Sequence, residues 1–138
     1  IPVVRPNDGI EVKLIAGALA GAVGPVQGIA TNPIYWDVTL AANAQFSTEV
    51  PESHQAFLYV FQGDAVVGPN SGQPVTQGHA VVLGSGNTIE MRAGSEGTRL
   101  LLIAGRPLQE PVARYGPFVM NTSEEIQQAF RDYREGRF

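Results

Sequence analysis

Short runs of aliphatic, β-branched and aromatic residues recur along most of this chain, and almost every gap between them holds glycine, proline or asparagine. The runs are Ile10 to Ala16, Ile34 to Leu40, Ala44 to Val50, Ala56 to Phe61, Asp64 to Val67, His79 to Leu83, Thr88 to Arg92 and Leu100 to Ala104. Gly63-Asp64, Gly68-Pro69-Asn70 with Ser71-Gly72, Gly84-Ser85-Gly86-Asn87 and Gly94 to Gly97 supply the tight-turn positions between them. Strands this short and this often interrupted bury their apolar faces by stacking in a sandwich or barrel, so the fold class is all-β. With 138 residues, of which 43% are hydrophobic, the chain has the material for one core and one domain.

In Tyr35-Trp36-Asp37-Val38-Thr39-Leu40 the alternation puts Tyr35, Asp37 and Thr39 on one face and Trp36, Val38 and Leu40 on the other. Two readings of the wetter face stand. Tyr35 and Asp37 line the bore and hydrogen-bond a small ligand, or they form a polar outward face. The segment Ile15 to Gly28, rich in alanine and glycine, carries no decisive pattern.

The period changes near the C-terminus. Thr122 followed by Glu125 fits a capping box, with Glu124 and Glu125 opposing the positive end of a helix that starts at Ser123 and runs to about Glu135. Ile126, Ala129, Phe130 and Tyr133 then form an apolar stripe, and Gly136 marks the stop.

Net charge and residue types exclude several functions. A formal charge of −4, with nine basic residues that never adjoin, gives no field for a phosphate backbone, so direct nucleic-acid binding is not expected. Having no cysteine, the chain forms neither disulfide nor thiolate metal site. The apolar stretch Ile15 to Val26 is broken by glycines and a proline and is too short to cross a bilayer as a helix, so no membrane association is expected. There is no G-x-S-x-G elbow, P-loop or dinucleotide fingerprint, and the glycine clusters lie between strands rather than at helix starts.

Two stretches carry a family resemblance. Gly105-Arg106-Pro107-Leu108-Gln109-Glu110-Pro111-Val112, followed by Tyr115-Gly116-Pro117-Phe118-Val119-Met120-Asn121-Thr122, resembles the C-terminal end of the pirin family. Gln55 to Asp64 resembles the strand of the first cupin motif, which ends in a turn glycine, here Gly63. The resemblance implies a cupin double-stranded β-helix, or jelly roll, with a short C-terminal α-helix. It also implies that the chain is the C-terminal cupin of a two-domain, cytoplasmic bacterial protein, read here as a fragment. The parent then resembles an iron-binding bicupin, of quercetin dioxygenase type or a protein-binding regulator, with iron in the N-terminal domain.

Registered on Gly63 and on Gly84-Ser85-Gly86, the family's metal-ligand positions fall at Glu49, Pro51, Gln55 and Ile89. Proline and isoleucine offer no donor, and glutamine is a poor replacement for a carboxylate, so no cofactor is expected in this chain. That favours a structural and interaction role beside the N-terminal cupin. The alternative is a small-molecule-binding or dioxygenase domain with a site rebuilt around Glu49, Glu52, His54 and Asp37; His54 and His79 are the two histidines. Leu108, Val112, Phe118 and Tyr133 lie in irregular or terminal segments that are costly to expose. Two readings stand: they are interdomain contacts, which uncovered would promote self-association, or the Arg106 to Thr122 segment packs only on its own sandwich.

Overall fold

Alternation decides the first strands, as the sequence predicts. In the computed structural model, which describes residues 1–137, β1 (Val3–Val4) and β2 (Ile10–Ala16) pair antiparallel, and β2 buries Ile10, Val12, Leu14 and Ala16 while turning the residues between them outward. The Ile15 to Gly28 segment forms a small hairpin, β3 (Ala18–Leu19) with β4 (Ala22–Val23), returning to a bridge between Ala16 and Val26. Next, β5 (Ile34–Leu40) buries Ile34, Trp36, Val38 and Leu40.

After β6 (Gln45–Glu49), the Ala56 to Phe61 and Asp64 to Val67 runs prove to be one strand, β7 (Gln55–Val67). β8 (Gln73–Val75) and β9 (Ala80–Val82) follow, and the Thr88 to Arg92 and Leu100 to Ala104 runs likewise belong to one strand, β10 (Thr88–Gly105). Gly63-Asp64 and Gly94 to Gly97, expected to be turns, are bulges inside these strands. Ala93 pairs with Ala65 and Thr98 with Gly63, so β10 carries Gly94 to Gly97 where β7 carries Asp64 alone. A second irregularity leaves Phe61 as an extra residue on β7.

Each odd insertion reverses which side chains face inward. β7 therefore buries Ala56, Leu58 and Val60 and then Ala65 and Val67; β10 buries Ile89, Met91 and Ala93 and then Thr98, Leu100, Leu102 and Ala104. The bends require positive φ at Gly63 (+69°) and Gly97 (+80°), and the buried Thr98 hydroxyl donates to the Asp64 carbonyl at the crossing.

Two layers result. One contains β1, β2, β5, the second half of β10, the first half of β7, and β9. The other contains β6, the first half of β10, the second half of β7, and β8. The buried side chains of both form one hydrophobic cluster. This is a jelly roll.

The chain divides into two compact units, Ile1–Pro107 and Leu108–Phe138. In the second, the hairpin of β11 (Ala113–Tyr115) and β12 (Phe118–Met120) precedes α1 (Ser123–Arg134). The capping box forms in full: Glu125 N–H donates to Thr122 Oγ1, and Thr122 N–H to Glu125 Oε2. Ile126 and Ala129 are buried, and Phe130 stacks edge-on with Tyr115 and Phe118 at centroid distances of 5.7 and 4.9 Å.

Candidate functional site

A metal held by the motif strands would stand between the layers, so the pleat of β6, β7 and β10 decides which side chains could reach it. On β6 and the residue after it, Phe46, Thr48 and Val50 are buried, and on β7 the inward series starts at Ala56. Glu49, Pro51 and Gln55 are all exposed. The positions registered from sequence thus lie beside the inward ones, which are Thr48, Val50 and Ala56. Ile89, the fourth, does point inward and pairs with Thr48. An isoleucine, a valine, an alanine and one hydroxyl are not a donor set for a divalent ion, and among the described residues no group of three His, Cys, Asp or Glu side chains could hold one. The cupin metal does not fit this interior.

The rebuilt-site residues are dispersed. Glu49, Pro51 and His54 border a cleft of about 470 Å³ with Gln27 and Asn32. His54 Nε2 lies 2.8 Å from the Asn32 carbonyl oxygen and Nδ1 3.4 Å from Ser53 Oγ. A carbonyl only accepts, so Nε2 carries the proton and the ring pins two loops together. Glu52 is exposed in the intervening loop. His79 is exposed as well, its Nδ1 lying 3.0 Å from Thr76 Oγ1. Asp37 stands elsewhere, on the outer face of the larger layer, where Arg99 donates to its Oδ2 at 2.8 Å and lies over the Phe61 ring at 4.9 Å.

Tyr35 and Asp37 lie opposite the buried face of β5, on the outward of their two sequence-based readings rather than in the bore, and the residues that join them there, Phe57, Tyr59 and Val82, are the part of this face that the sequence left unmarked. Cross-strand register sets Tyr35 and Phe57 on either side of Ile103, Val82 beyond Phe57, and Asp37 and Tyr59 on either side of Leu101. Tyr35, Phe57 and Tyr59 each retain 37% of their surface and Val82 retains 81%. Asp37 Oδ1 and Arg99 Nε are buried there without a hydrogen-bond partner. One signal was available: Ala56 to Phe61 is apolar at every position, the pattern of a strand covered on both faces.

The four interdomain candidates all fall in the second unit. Leu108, Val112 and Tyr133 are exposed, and Phe118, half-buried, packs edge-on against Phe130 and Tyr133.

A jelly roll whose motif strand carries the glycine bend defines a cupin domain. A family model described as the pirin C-terminal cupin domain matches residues 35–138. The chain belongs to the pirin family as its C-terminal cupin domain. It is 40% identical to a pirin-like protein of Caulobacter vibrioides, aligned over 100% of this chain and 49% of that protein. It is 36% identical to a putative quercetin 2,3-dioxygenase of Pseudomonas aeruginosa, over 99% of this chain and 49% of that one. A crystal structure of quercetin 2,3-dioxygenase from Acinetobacter baumannii superposes with a TM-score of 0.87 at 32% identity, covering 99% of this chain and 47% of that one. The chain thus spans about half the length of the curated relatives it matches. Among the described residues no helix is long and apolar enough to cross a membrane.

Proposed function

We propose that this domain is the metal-free half of a bicupin, a structural and docking partner for an N-terminal cupin that holds the iron, in a cytoplasmic parent of quercetin dioxygenase or regulatory type. The observation that carries this reading is where the apolar side chains lie. The interior is hydrocarbon at Val50, Ala56 and Ile89, while aromatic surface lies outside, at Tyr35, Phe57 and Tyr59. Exposed aromatic and aliphatic side chains gathered on one sheet face are characteristic of an interaction surface. The half-buried Asp37–Arg99 pair, with an acceptor and a donor unsatisfied, gives that face polar positions for register. Leu108, Val112, Phe118 and Tyr133 form a second, separate candidate contact.

The test mixes this chain with a separately produced N-terminal half of the parent and follows sedimentation velocity. A one-to-one complex is expected, lost in Phe57→Asp with Val82→Asp and weakened in Val112→Asp. The chain alone should self-associate at high concentration and should not consume quercetin. Components that sediment independently at every concentration, or quercetin turnover by this chain alone, would sink the reading.

A further inference from the structure

The second unit contains a cleft of about 690 Å³ lined by aromatic and basic side chains. The hairpin contributes Arg114 and Tyr115, and the helix contributes Gln127, Phe130, Arg131 and Arg134. Where ion pairs form among the described residues, the arginines involved are Arg5 with Glu11, Arg99 with Asp37, and Arg137 with Asp132 and Glu135. Among the described residues, none of the three arginines on the cleft has a carboxylate within ion-pair distance. Arg131 donates to Gln128 Oε1 at 2.7 Å, and Arg134 Nε donates to the Phe130 carbonyl at 3.3 Å.

Placement of Arg131 and Arg134 in the last helical turn complements the helix dipole. That does not account for Arg114, which lies on a strand and faces the same cleft. Three arginines and no acid in the lining, in a chain of net charge −4, give this cleft a positive wall.

We propose that this cleft receives an acidic peptide segment that places an apolar side chain against Tyr115 and Phe130 and its carboxylates against Arg114, Arg131 and Arg134. Guanidinium groups match carboxylates in a bidentate fork, and arginine and tyrosine are, with tryptophan, the residues enriched at protein-binding hot spots. A nucleic-acid backbone, with charge at every residue, would also meet the carboxylates at the start of the same helix, Glu124 and Glu125. A peptide can interrupt its acidic residues with apolar ones that meet Tyr115 and Phe130.

The experiment uses the 138-residue chain and fluorescence anisotropy. The probe is a labelled peptide Glu-Asp-Glu-Phe-Leu-Glu-Asp-Glu, beside its Gln/Asn counterpart and a labelled single-stranded oligonucleotide. The acidic peptide should bind at least about tenfold more tightly than the neutral one, and its affinity should fall about tenfold in Arg131→Gln with Arg134→Gln. Arg114→Gln, off the helix, should weaken it independently, and replacing the peptide's Phe by Ala should weaken it too. Urea midpoints of each variant separate lost binding from lost folding. Equal affinity for acidic and neutral peptides, or indifference to all three arginines in folded variants, overturns the proposal. Oligonucleotide binding of equal strength with the same arginine dependence also overturns it, by identifying a phosphate polymer as the occupant.

Discussion

Gly63→Ala should be among the most damaging single-methyl additions in this chain. At φ +69° an L side chain costs about 1–2 kcal/mol in backbone conformation. The added Cβ would also stand 2.2 Å from the Gly97 carbonyl oxygen, so β7 and β10 must part by about 1 Å to accommodate it. The obstacle is backbone in the longest strand pair, and overpacking of that kind adds roughly 1–3 kcal/mol. The same movement disturbs the bond from Gly63 N–H to Gln77 Oε1, for about 0.5–1.5 kcal/mol more. Stiffening of the unfolded chain offsets only about 0.4–1 kcal/mol. The expected loss is therefore roughly 3–5 kcal/mol, a large share of the ~5–15 kcal/mol that holds a typical domain together. Urea unfolding followed by fluorescence of Trp36, the single tryptophan, 1% exposed in the core, measures it. Gly78→Ala is the control: its φ is +82°, but no atom lies within 4 Å of the added methyl, so it should cost about 1 kcal/mol of strain alone. Should Gly63→Ala not fold while Gly78→Ala does, the reasoning stands. Equal shifts at the two sites would show that the close approach to Gly97 contributes nothing.

Two further outcomes can be checked on the same protein. Phe130→Ala should destabilise by about 2–3 kcal/mol, below the 3–5 of a fully buried ring because this one is half-buried, and thermal melts should show it while the exposed-face change Gln127→Ala stays within about 0.5 kcal/mol. Dialysed protein analysed by inductively coupled plasma mass spectrometry should carry no stoichiometric iron or zinc. Metal retained at one per chain and lost on Glu49→Ala or His54→Ala would restore the rebuilt-site reading.

What the sequence revealed was whatever local chemistry determines. Thr122 and Glu125 announce the helix because the capping box needs only its own four residues, and the Ile34 to Leu40 faces follow from strict alternation. The glycine clusters misled because glycine serves a turn and a bulge equally well. Only pairing with a partner tens of residues away decides that β7 and β10 continue through Gly63-Asp64 and Gly94 to Gly97. The same ambiguity displaced the metal register: counting along the chain from Gly63 arrives at Glu49, Pro51 and Gln55, whereas the pleat turns their neighbours inward. The gathering of Phe57, Tyr59 and Val82 beside Tyr35 on the outer face depends on cross-strand adjacency and was invisible residue by residue.

The position of β10 has a consequence for biosynthesis. It is the neighbour of β5, β6 and β7 at once, yet it is the last strand of the first unit to leave the ribosome. Until it emerges, β5 and β6 have no strand to join on that side, and the apolar faces carrying Trp36, Leu40, Phe46 and Leu58 have no completed interior to enter. The nascent chain must therefore travel nearly the whole length of this unit with its future core unprotected. Closure of the two layers therefore waits for β10. Translational pausing just upstream of Thr88 would prolong that exposure, whereas pausing after Gly105 and the residues still inside the exit tunnel would give the sandwich time to shut.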